Sequence, residues 1–178
     1  FRKFLQELAE QMDEAVEVES CDYRLVNDEE TLRKVVGNLK GAELVAVDTE
    51  TTSEDQHHCR LVGISLSARP ATGFYIPVMA PPGSKTLPME CVRRHLKGLL
   101  EDHTVKKAGQ NLKYDYQVLK REGITLGGIA FDTMIAAYLV DPESRSYGLD
   151  TLALRYLGRK NRPIEALIGR GKEQITMD

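Results

Sequence analysis

Four apolar residues, Leu44-Val-Ala-Val47, run straight into Asp48-Thr-Glu50, and this junction constrains the chain more than any other segment. A continuous apolar run of this length reads as a strand buried on both faces. Side chains two apart along a strand share a face. Asp48 and Glu50 should therefore project together from the strand's carboxyl end, the edge where α/β sheets place their sites. Two hard oxygen ligands side by side suit Mg²⁺ or Mn²⁺, and without a cation they would repel each other. Thr51, Thr52 and Ser53 follow with hydroxyls in reach of a sugar or phosphate. An Asp-x-Glu triplet alone occurs by chance in many chains; the apolar strand in front of it gives this one meaning.

The surrounding pattern builds a mixed α/β sheet. A short edge strand is expected over 23–26, then a helix to about residue 39 with Asn27 as its cap and Glu30 three residues on. Strands over 61–66 and 73–78 stand at hairpin spacing, which with 44–47 makes a meander. Pro88 opens a helix to residue 100. Thereafter strands at 105–108 and 128–131 alternate with helices at 111–122 and 133–140, and a last helix covers 149–157. Five main strands flanked by helices are expected. Residues 1–18 read as an acidic amphipathic helix, a linker or extension, with the domain proper over 21–178.

A second candidate lies in Ala108-Gly-Gln-Asn-Leu-Lys-Tyr-Asp115, which crosses from strand to helix. Gly109 is expected to give the tight turn and Asn111 the cap. Asp115, in the second turn, is placed either to add a third carboxylate or to sit on the surface beside Lys113.

Composition narrows the function classes. No stretch approaches the roughly 18–20 apolar residues of a membrane helix. Cys21, Cys59 and Cys91 are odd in number and lack C-x-x-C spacing, which argues against a disulfide scaffold or a cysteine zinc site and suits a reducing cytosol. No secretory leader is visible, and a start at Phe1 leads us to expect a piece of a longer protein. Walker, G-x-G-x-x-G and G-x-S-x-G motifs are absent. The chain carries a formal charge of −3, unevenly spread. Residues 145–172 hold seven Lys or Arg against two acidic side chains, which is either a solvated face or a track for a phosphate backbone. Glu54-Asp-Gln-His-His-Cys59 is expected to be a solvated loop, since adjacent residues rarely converge on one ion. His95 and His103 read as surface residues near helix ends.

With these segments in hand, the chain resembles the 3′–5′ proofreading exonuclease domain of bacterial DNA polymerase I, among the DEDD exonucleases of ribonuclease-H-like fold. Asn27-Asp-Glu-Glu-Thr-Leu32, Val47-Asp-Thr-Glu-Thr51, Leu61-Val-Gly-Ile-Ser65, Tyr75-Ile-Pro-Val78, Gly109-Gln-Asn-Leu-Lys-Tyr-Asp115, Gly128-Ile-Ala-Phe-Asp-Thr-Met134 and Leu149-Asp-Thr-Leu-Ala153 carry the likeness, in family order and at family spacing. The resemblance implies hydrolysis of the 3′-terminal phosphodiester of single-stranded DNA with two divalent ions, Mg²⁺ or Mn²⁺. It implies Asp48, Glu50 and Asp115 as catalytic metal ligands, and Thr49, Thr51, Gln110 and Asn111 as substrate-binding residues. It further implies a polymerase domain in the same parent chain, no membrane, and a bacterial cytoplasm. The family's third motif, Tyr-x-x-x-Asp, is expected to fall after Asp178. Glu54 and Ile164 stand where the family usually carries residues that stack on bases. The competing reading is a retired or incomplete exonuclease fold that serves as a scaffold or single-strand binder, and an RNA-trimming relative is a third.

Overall fold

The computed structural model describes residues 21–161 and residue 169. The expected helix over 1–18, the turn at 164–168 and the Ile164 position lie outside those residues.

The strands are β1 (Asp22–Leu25), β2 (Leu44–Thr51), β3 (Leu61–Ser67), β4 (Thr72–Pro77), β5 (Lys106–Gly109) and β6 (Ile129–Asp132). The helices are α1 (Glu29–Leu39), α2 (Met89–Leu100), α3 (Leu112–Arg121), α4 (Thr133–Val140) and α5 (Leu149–Leu157). One sheet runs in the order β1-β4-β3-β2-β5-β6. β2, β3 and β4 form the expected antiparallel meander, while β1 joins β4, β5 joins β2 and β6 joins β5 in parallel. The count is six strands, where five main ones were expected, because the edge segment makes a full ladder with β4.

β2 is central, as its apolar run requires, but it is buried on one face only. Val45, Val47 and Thr49 are buried, whereas Leu44, Ala46 and Asp48 are exposed. The buried face packs against α1 through Leu32, Val35, Val36 and Leu39, against α2 through Val92, Leu96 and Leu99, and against α3 through Leu112, Val118 and Leu119. The opposite face is a concavity of about 640 Å³ whose lining includes Ala46, Asp48, Ser65, Tyr75, Gly109 and Gln110. A run such as Leu-Val-Ala-Val satisfies either arrangement, since Ala46 costs little when exposed.

Two caps differ from expectation. Asp28, not Asn27, caps α1, its Oδ1 accepting from Thr31 N at 2.9 Å. Asn111 sits at the start of α3 with φ of 57° and no side-chain capping bond. Asn tolerates this left-handed conformation better than most residues, so the sharp turn is made at Asn111. Gly109 serves another purpose: a Cβ there would lie 2.7 Å from Val47 O, so only glycine lets the β5–α3 connection rest against the β2 backbone.

Candidate nuclease site

β5 pairs with β2 only as far as Ala46, then turns away into α3. Beyond that point the β2 backbone has lost its ladder partner on this side. The Thr49 N–H is answered by Asp115, whose Oδ1 accepts from Thr49 N at 2.9 Å and from Thr49 Oγ1 at 2.7 Å. A buried backbone donor needs an acceptor, and here α3 supplies a carboxylate. The same contact draws Asp115 to the strand that carries Asp48 and Glu50.

Asp48 and Glu50 lie on the face opposite Thr49, as the strand period requires. Asp48 opens to solvent at the floor of the concavity, yet enough protein surrounds it that burial pushes its carboxyl up to about 7, helped by the charges of Asp115 and then Glu50. Burial also raises Glu50. For Asp115 burial is again the largest influence, partly offset by the Thr49 hydrogen bonds, with Asp132 adding a further upward push. Among the described residues, no lysine or arginine is one of the main groups that perturb these three carboxyls. An all-oxygen donor set under mutual repulsion fits a hard divalent cation. The three oxygens are looser than a closed metal cage; among the described residues only Glu29, Cys91 and His95 offer ligand atoms all within 4.8 Å of one another.

The expected substrate-binding residues are placed as follows. Thr49 is buried and its hydroxyl is committed to Asp115, so its side chain positions a carboxylate and does not face the concavity. Thr51 Oγ1 lies 2.5 Å from the Tyr114 hydroxyl, and both hydroxyls are within hydrogen-bond reach of Ser53 O. Burial raises Tyr114 to about 12, so it stays a neutral donor. Gln110 lines the concavity, donating to Tyr147 O at 2.7 Å and accepting from Thr133 Oγ1. The Asn111 amide is not spent on capping. Asp132 does that work: its two oxygens accept from Asn111 N at 3.1 Å and Leu112 N at 2.7 Å, and Oδ1 also accepts from Met134 N at 2.9 Å. One carboxylate thus caps both α3 and α4. Asp132 directly before a helical run was a readable cap signal for α4; its service to α3 was not.

The Glu54–Cys59 segment is the expected loop. His57 and His58 are exposed, His58 pairs with Asp55 at 2.6 Å, and Arg121 anchors the segment through Gln56 O and Cys59 O. In the basic stretch Arg155 is paired with Asp141 at 2.7 Å; Arg162, Arg170 and Lys172 lie outside the described residues. No helix among the described residues is long and apolar enough to cross a membrane.

Two consequences are measurable. Thr49→Val removes one of the two Thr49 donors to a buried carboxylate, and should cost about 1–3 kcal/mol in denaturant unfolding. The second concerns pH. A carboxyl raised in the folded state leaves stability intact below its unfolded value near 3.8 and removes it as pH rises through about 7. In chelator, Asp48→Asn should therefore match wild type near pH 4 and be more stable at pH 8. Discounted for solvent screening, the gain is about 1 kcal/mol, or roughly 2–4 °C in Tm.

Residues 23–178 match the family described as 3′–5′ exonuclease. DNA polymerase I of Pseudomonas aeruginosa is 38% identical over 163 residues, covering 88% of this chain and 18% of that protein. The chain spans less than a fifth of the length of the curated relatives it matches. Among solved structures, Pol1 from M. smegmatis, in complex with DNA primer-template and dNTP, superposes with a TM-score of 0.65 at 27% identity, over 78% of this chain and 23% of that one. Trypanosoma brucei RNase D in complex with RNA U12 gives 0.67 at 21% identity, over 79% of this chain and 48% of the other. The latter shows the fold alone, a ribonuclease-H-like mixed sheet. With the family match running through every element from β1 onward, this chain belongs to the 3′–5′ exonuclease family, as the domain of that kind found in bacterial DNA polymerase I.

Proposed function

We propose that the chain hydrolyses the 3′-terminal phosphodiester of single-stranded DNA, one nucleotide at a time, as the proofreading domain of a family A polymerase in a bacterial cytoplasm. The observation that carries this reading is the meeting of Asp48, Glu50 and Asp115 at the end of β2 in a member of the exonuclease family. Asp48, Glu50 and Asp115 would together hold the divalent ions, two of Mg²⁺ or Mn²⁺, with Asp48 at the centre of the set. Bound there, such ions supply an activated water and offset charge on the departing 3′ oxygen.

The chain's own residues do the positioning. Thr49 fixes Asp115 through two donors, and Asp132 fixes the first turn of the helix that carries it. Tyr114 and Thr51 hold the segment after β2. Gln110 at the concavity and the side-chain amide of Asn111, which makes no capping bond, are disposed to bind the terminal nucleotide. Cations of the 145–172 stretch would follow the upstream strand, which stacks as it frays. The scaffold reading has less in its favour, because three clustered carboxylates cost stability that a retired site has no reason to keep.

Labelled single-stranded DNA and RNA of one sequence, incubated with Mg²⁺ and the chain extended past Asp178 through the expected Tyr-x-x-x-Asp motif, test this. DNA should shorten stepwise from its 3′ end while RNA persists. Faster loss of RNA would make the chain an RNA trimmer, and binding without cleavage of either would favour the scaffold.

A further inference from the structure

Away from the nuclease site, α1 and α2 bring three unlike ligands together. Glu29 is the first residue of α1, and Cys91 and His95 stand one helical turn apart on α2. One ligand atom from each lies within 4.8 Å of the other two. His95 Nε2 is 2.8 Å from Glu29 Oε1. Cys91 is buried, His95 is half-buried and Glu29 is exposed. Arg94 is the competitor, with Nη2 2.7 Å from the same Glu29 oxygen and 3.9 Å from Cys91 Sγ.

We propose that Glu29, Cys91 and His95 form a zinc-type site, independent of the nuclease centre, that clips the start of α1 to α2. The donor set is the argument. Sulfur, imidazole nitrogen and carboxylate oxygen together suit Zn²⁺, whereas Mg²⁺ seeks oxygen alone. Zinc bonds of about 2.0–2.3 Å in tetrahedral geometry put ligand atoms roughly 3.3–3.6 Å apart. The Glu29–His95 pair at 2.8 Å must therefore open slightly while any separation near 4.8 Å closes by about 1 Å, which rotamer adjustment of exposed Glu29 supplies most readily. Water takes the fourth position. Binding releases the thiol proton to solvent and takes the His95 Nε2 lone pair, with the ring proton on Nδ1. Arg94 must leave Glu29 at the same time, so the guanidinium holds the affinity down. The sequence hid the site because its third ligand is far away along the chain and Cys91 and His95 are four apart, outside the C-x-x-C pattern.

Cobalt(II) titration of the whole chain, with excess Mg²⁺ present to occupy the carboxylate centre, provides the test. One equivalent should produce a thiolate-to-cobalt charge-transfer band that zinc abolishes. The band should survive Cys21→Ser and disappear in Cys91→Ser, a near-isosteric change. Zinc should raise Tm in wild type and leave Cys91→Ser and Glu29→Gln unmoved; Glu29 is exposed, so that variant keeps its fold. Arg94→Gln should tighten zinc binding about three- to tenfold by removing a nearby positive charge. No thiolate band in wild type, a band that persists in Cys91→Ser, or an equal Tm rise in all variants would overturn the proposal. None of these outcomes bears on the nuclease reading, whose ligands lie on β2 and α3.

Discussion

Asp48→Ala should abolish 3′-terminal degradation of single-stranded DNA while leaving the fold intact. Asp48 is the carboxyl raised by both of the others, so it holds the centre of the cluster. Ligands that act as a unit lose most of their joint effect when one is removed, and the fall should be at least about three orders of magnitude in rate. A 5′-labelled oligonucleotide and the chain joined to the polymerase domain proposed for its parent give the readout. In chelator at neutral pH the variant should melt no lower than wild type, because the substitution relieves repulsion. Asp115→Ala should be equally inactive yet less stable, since it strands the Thr49 amide and hydroxyl that Asp115 accepts from. Two inactive variants with opposite stability changes would separate a ligand that only costs the fold from one that also ties α3 to β2.

Asp132→Ala should be among the most destabilising single changes outside the apolar core. Its carboxylate accepts from amides at the starts of both α3 and α4. Each lost cap costs about 1 kcal/mol, with a further share from the negative charge at two positive helix ends. A loss of about 2–3 kcal/mol, or a Tm lower by roughly 5–10 °C, is expected in calorimetry. Asp132→Asn, which keeps an acceptor oxygen, should lose less than half of that. Because α3 carries Asp115, the alanine variant should also lose exonuclease rate before it loses secondary structure. An Asp132→Ala protein with wild-type Tm would show that the two helix starts find other acceptors.

Much of this was legible because the rules involved are local. The period of two put Asp48 and Glu50 on one face, and apolar spacing placed α4 and α5 at their observed bounds. The same period places Thr49 toward the core, where a substrate-binding role for its side chain does not fit. What failed was non-local. The open face of β2 could not be told from a covered one, since Leu44 and Ala46 tolerate either. Asn111 looked like a cap in its own segment, and nothing in that segment says that Asp132, from the next strand, caps α3 instead. Tyr114 bonding to Thr51 and Ser53 likewise joins residues that only the β5–α3 turn brings together.

Mn²⁺ binding, followed by the paramagnetic resonance of the free ion, measures most directly whether the three carboxylates act as one cation centre. Wild-type protein should take up Mn²⁺. Asp48→Asn, Glu50→Gln and Asp115→Asn should each weaken that uptake at least about tenfold, equivalent to about 1.4 kcal/mol, while Cys91→Ser binds as wild type does. Undiminished Mn²⁺ uptake by Asp48→Asn would place the ion elsewhere and contradict the account.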